Sequence, residues 1–205
     1  MKKFIALIIS AILAMGFSRV GAWEVETFDF VAVAPDTPST YPKELRVRSN
    51  LLPWLIAVPN LGAEFVFSKH WSGVLDVWFS PWKFSDKYSL KTVALLPEVR
   101  WWVRSSQRGS YLNIHADVAW FNARVNTNRY QDGSRPLFGA GIGYGYHVNV
   151  NKRWAFEFEI GAGYVNIHYN RYYNVANGAL RDTDEFNYWG IDRLSVAVTY
   201  YICDL

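Results

Sequence analysis

The residue pairs with the strongest chemical potential are carboxylates and histidines set two apart. Glu157 and Glu159 have the spacing of a carboxylate pair for acid–base work. His115 and Asp117 would begin a hydrolytic dyad or a metal site, and His115 with His147 would offer two nitrogens to zinc. No compact metal-ligand motif surrounds them, so neither a metal nor a cofactor is expected. A lipid-hydrolysing centre would need serine, histidine and acid together. His168 with Asp182 and Asp184 comes nearest, and no convincing serine accompanies them. The alternate glycines Gly139, Gly141, Gly143 and Gly145 resemble a phosphate loop only superficially. Such loops open a helix, and here every intervening residue continues a strand pattern.

All these residues lie on segments of period two, the side-chain period of a strand. Phe138, Ala140, Ile142, Tyr144, Tyr146 and Val148 share one face against Gly139 to Gly145, His147 and Asn149. Trp154, Phe156, Phe158, Ile160, Ala162 and Tyr164 oppose Ala155, Glu157, Glu159, Gly161 and Gly163. Leu112 to Trp120 and Leu194 to Ile202 alternate equally clearly. Weaker alternation runs from about Leu45 to Trp54, Leu61 to Phe67, Leu75 to Phe79 and Val93 to Val103. The count is eight. The connections alternate tight and long: 68–70 and 151–153 are tight and 104–110 is moderate, while 81–89, 123–136 and 170–188 are longer; 56–60, a short outer connection, is the one exception. This pattern predicts an all-β fold: an eight-stranded antiparallel up-and-down transmembrane β-barrel with a closed polar lumen. Tight turns would face the periplasm, as would both mature termini.

Composition points the same way. The chain of 205 residues carries 10 Trp, 13 Tyr and 13 Phe, more aromatics than a soluble core needs. Membrane proteins place such rings at both interfaces. Trp71, Trp101 and Trp154 adjoin tight turns, and Trp120 and Tyr164 lie at the opposite strand ends. These are the expected interfacial aromatics. Residues 1–22 read as a secretory signal peptide: Lys2 and Lys3, an apolar run from Phe4 to Phe17, then Val20, Gly21 and Ala22. Three of the 21 basic residues leave with it, giving 18 basic against 18 acidic residues. A nucleic-acid partner gains no support from that balance. A single cysteine, Cys203, excludes an intrachain disulfide. Residues 23–44, rich in Pro, Ser and Thr toward the end, read as a periplasmic lead-in to a barrel over 45–205.

Outward apolar faces send the opposite faces inward. Arg46, Arg48, Arg100 and Arg193 then meet Glu64, Asp76, Glu98, Asp117, Glu157 and Glu159, with His115 and His147 among them. Eight strands leave room only for side chains, so the expectation is an ion-pair plug. Two more acids than arginines implies protonation, hydration or further donors. The longest connection holds Arg171, Tyr172, Tyr173, Arg181 and Phe186, a candidate partner-binding loop for lipopolysaccharide or a surface protein. A soluble lipocalin-like barrel, with the apolar face inside, is the alternative fold. A lipid-modifying enzyme and a small channel are the alternative functions.

The texts of Asn50 to Phe67 (NLLPWLIAVPNLGAEFVF), Leu95 to Val103 (LLPEVRWWV) and Gly141 to Val165 (GIGYGYHVNVNKRWAFEFEIGAGYV) resemble the DUF3575 family. That family is of unassigned function and typical of Bacteroidetes. The resemblance covers about 45–205 and implies an outer-membrane barrel of OmpA-like size, with no catalytic residues to carry over. Many such barrels end on an aromatic. This chain ends Cys203, Asp204, Leu205 after Tyr200 and Tyr201.

Overall fold

The structure, a computed structural model, describes residues 44–104 and 107–204. Residues 1–22 and most of the segment read as a lead-in lie outside that range. Among the described residues are nine strands and one short helix: β1 (Glu44–Asn50), α1 (Leu51–Trp54), β2 (Asn60–Val66), β3 (Trp71–Lys83), β4 (Tyr88–Trp102), β5 (Gly109–Val125), β6 (Asn128–Asp132), β7 (Leu137–Asn149), β8 (Trp154–Tyr173) and β9 (Leu180–Asp204). Every pairing is antiparallel. Strands β1 to β5 follow one another in space, β5 pairs with β7, β7 with β8, β8 with β9, and β9 returns to β1. The sheet therefore closes in a ring of eight, with β6 as a ninth strand wedged between Asn122–Val125 of β5 and Tyr169–Tyr173 of β8. Closure leaves these strands no open edge along the paired stretches.

Four boundaries differ from the sequence reading. The lead-in was expected to reach residue 44, but Glu44 already pairs with Asp204 in the sheet. The first strand stops at Asn50 instead of reaching Trp54. Asn50 Oδ1 accepts from Leu52 N–H at 3.1 Å and caps α1. Pro53 has no N–H to lose in a first helical turn, so the helix tolerates it. The span 123–136 was expected to be a loop. It holds the end of β5, a turn at Asn126 and all of β6. Asn126 has φ +56°, a conformation asparagine accepts readily. The span 170–188 is mostly strand as well, since β8 runs to Tyr173 and β9 begins at Leu180.

The tight turns are built as the sequence suggested. Asn151 Oδ1 accepts from the N–H groups of Arg153 and Trp154 at 2.8 and 3.0 Å, closing the β7–β8 turn. Phe67 and Ser68 both donate to Trp71 O across the β2–β3 turn.

The packing is inverted relative to a water-soluble core. Ile142 and Ile114 are each 68% exposed, and Phe156, Phe158, Ile160, Leu112 and Leu75 are exposed too. Buried against one another inside the ring are Arg46, Arg48, Arg100, Glu64, Glu98, Glu157 and His147. The alternation of the strands thus separates an apolar outside from a charged inside.

Candidate functional site

The interior is organised around Arg100. Its Nε donates to Glu98 Oε1 at 2.5 Å and its Nη1 to Glu157 Oε2 at 3.1 Å. Glu64 and Glu159 lie 3.5 Å from the same guanidinium, which also sits 4.3 Å from the Tyr111 ring centroid. Arg48 lies within 4.0 Å of Asp76, Glu98, Glu157 and Glu159. Its Nη2 donates to Ser195 Oγ. Arg46, at the end where both termini of the sheet meet, binds Glu44, Glu64 and Gln107 and packs over Trp102 and Tyr201. Arg193 joins Glu98 at 3.0 Å and Asp117 at 2.6 Å toward the opposite end. The structure brings together all six acids and four arginines singled out from the sequence.

The excess of acids is met by neutral donors. Ser72 Oγ donates to Glu64 at 2.6 Å, Thr199 Oγ1 to Glu157 at 2.8 Å and Tyr111 Oη to Glu159 at 3.1 Å. His147 Nδ1 lies 3.1 Å from Glu157 Oε1, and its Nε2 contacts Asn149 and Tyr201. Tyr111, Trp102 and Tyr201 belong to this network and were missed among the site residues, although period two already placed Trp102 with Arg100. Gly145 lies beneath Tyr111, where an added Cβ would overlap the ring. The inward glycines are small because the opposing side chains are large.

Around the network remain polar atoms that have ion-pair neighbours at most and no hydrogen bond: Arg48 Nε and Nη1, Asp76 Oδ1, Glu159 Oε1 and Arg193 Nε. Arg48, Asp76, Glu159 and Arg193 line a cavity of about 40 Å³ together with Glu98 and Asp192. Ion pairs so deeply buried compensate each other, and removing one member leaves its partner stranded.

The other chemical candidates are not assembled as the spacing suggested. His115 contacts Asp192 instead of Asp117, and His147 is engaged with Glu157. His168 Nδ1 accepts from Ser134 N–H. Asp182 is paired to Arg171 through both guanidinium and carboxylate arms, and Asp184 accepts from Tyr169 Oη at 3.0 Å.

The residues expected on a partner-binding loop stand instead on a projecting hairpin of β8 and β9. Arg171 pairs across to Asp182, Tyr172 to Leu180, and Ile167 to Phe186. Arg181 lies 4.8 Å over the Tyr173 ring and donates to Asn128 of β6. Burial first, and then the hydrogen bond to Asp184, push the Tyr169 hydroxyl up to about 12. The hydrogen bond from Arg171 to Asp182 raises the Arg171 guanidinium above its ordinary value.

The aromatic residues singled out as interfacial do lie on the outside of the ring. Trp71, Trp101, Trp120 and Trp154 are exposed, while Tyr164 is half-buried against Trp189 at 4.9 Å. Trp189, 77% exposed, was not anticipated.

A family model described as a protein of unknown function, DUF3575, matches residues 28–202. The chain belongs to the DUF3575 family. The match begins ahead of β1, so the family includes part of the segment read as a lead-in. No curated protein and no solved structure matches this DUF3575 chain.

Proposed function

We propose that this DUF3575 protein is an eight-stranded outer-membrane β-barrel, plugged by its charge network, with a structural or surface-interaction role. The observation that carries the reading is the inversion of the sheet: apolar side chains ring the outside while ion pairs fill the inside. A strand crosses hydrocarbon with about 9–11 tilted residues, and Trp154 to Tyr164 supplies that length with apolar residues on every outward position. Tight turns then lie at the periplasmic rim. The β5–β6 and β8–β9 hairpins project from the outer rim, where they are free to meet a partner.

A lipid contact at that rim has its own support. Phe79, Val93 and Trp120 line an outer recess of about 370 Å³ that Lys91 also borders. An ammonium beside an aromatic shelf suits the phosphates of lipopolysaccharide, since rings favour the interface and the cation favours the headgroup. The channel alternative is disfavoured by a network that fills the ring with mostly buried side chains.

The test is to fold the full chain into lipid vesicles and into planar bilayers. Expected are protease protection of the β1–β9 ring, heat-dependent migration on gels and no stable conductance. A protein that stays monomeric in water without detergent would overturn the reading, and steady ion currents would replace the plug with a channel.

A further inference from the structure

Strand β9 carries a bulge. Gly161 pairs with Arg193 and Ala162 with Ile191, so Asp192 is the extra residue. Strict alternation from Leu194 would turn Asp192 outward. The bulge turns it inward beside Arg193, and its side chain is fully buried. Bulges of this kind re-aim a side chain and are common beside functional sites.

Asp192 Oδ2 lies 3.1 Å from His115 Nε2, while Asp192 Oδ1 has no partner. His115 Nδ1 lies 3.1 Å from Asn113 Oδ1. One ligand atom from each of His115, Asp117 and Asp192 falls within 4.8 Å of the others. Around a tetrahedral ion with bonds of ~2.0–2.2 Å, ligand atoms sit about 3.5 Å apart. A closure of roughly an ångström completes the set.

The surroundings suit a metal ligand set. Asn113 fixes the imidazole through Nδ1, which leaves Nε2 for the ion, as outer partners of metal-bound histidines do. Arg193 holds Asp117 Oδ1 at 2.6 Å and leaves its other oxygen. Gly141 keeps the floor open, since a Cβ there would come within 2.7 Å of both Asp192 Oδ2 and His115 Nε2. One nitrogen and carboxylate oxygens match zinc or a neighbouring first-row ion better than calcium or magnesium, which prefer all-oxygen sets.

We propose that His115, Asp117 and Asp192 form a binding site for a divalent first-row transition-metal ion. The ion fastens the bulge of β9 to β5 across the ring. The inference rests on the fold and not on where the protein resides.

The test is a cobalt titration of full-length protein, purified without a metal-binding tag and stripped with chelator. Expected is one equivalent of Co²⁺ bound with visible d–d absorption and displaced by Zn²⁺. Asp192→Asn and His115→Gln should each weaken binding by about 10–100-fold or more, with far-UV circular dichroism confirming that the variant is folded. A folded wild-type protein that develops no absorption would overturn the proposal. So would any folded variant of the three ligands that binds as tightly as wild type. If Asp192→Asn does not fold, His115→Gln and Asp117→Asn carry the same comparison.

Discussion

The interior of the ring and the projecting β8–β9 hairpin use the same residue types under opposite conditions. Arg100 and Glu157 have fully buried side chains, whereas Arg171 and Asp182 are 34% and 40% exposed. In the ring each charge has given up water, so its partners must replace that hydration. In the hairpin, solvent screens the pair and little depends on it. The number of ion pairs is therefore a poor guide to what holds this protein together. Their depth decides it.

The largest effect should come from inside. Arg100→Met would take from Glu98 and Glu157 their nearest arginine and leave the buried acids under-compensated, and a loss of about 3–5 kcal/mol is expected. Urea titration of folded protein in vesicles, followed by tryptophan fluorescence, measures it. Adding Glu157→Gln should recover part of the loss, because an under-compensated charge is removed with its partner.

The outer faces sharpen the contrast next. Ile142 and Val175 are almost equally exposed, at 68% and 66%. Ile142→Arg, in the proposed hydrocarbon band, is expected to cost about 2–4 kcal/mol. Val175→Arg, in the loop after β8, should stay within about 0.5 kcal/mol. Equal costs in the same urea assay would erase the distinction between band and loop.

Smaller again is Arg171→Ala on the hairpin, expected to cost about 0.2–1 kcal/mol and less at high salt. Invisible at neutral pH is an effect confined to alkaline solution. Tyr169 keeps its proton to about 12 in the folded state, against an ordinary value near 10. Both states are protonated below pH 10, so the Asp184 hydrogen bond contributes fully there. Between about pH 10 and 12 only the unfolded chain releases the proton, and stability falls. Tyr169→Phe should remove that increment of alkaline sensitivity, read as the difference between the two proteins' unfolding curves.

Alternation made the ring and its charged interior readable in the sequence. Glu157 and Glu159 alternate with Phe156, Phe158 and Ile160, and the structure buries the first pair while exposing the rest. Features that break the period were hidden. Asp192 sits on a bulge, so counting by two from Leu194 aims it the wrong way. β6 lies in a polar stretch between the turn signals Asn126 and Asp132-Gly133, with no apolar alternation to mark it as a strand. α1 begins where Leu51 would continue a strand, and only the Asn50 cap ends it. Tyr111 was legible as inward by parity, but its role over Arg100 depends on distances between strands far apart in sequence.

The central claim is that the apolar face of the ring meets lipid. The most direct measurement replaces Cys203 with Ser and places one nitroxide label at position 142, then at 156, in protein folded into vesicles. Collision rates with oxygen, which concentrates in hydrocarbon, and with a water-soluble nickel chelate are compared. Labels at both positions reached by oxygen and shielded from the chelate are the expected result. Free access of the chelate to both labels would contradict the account.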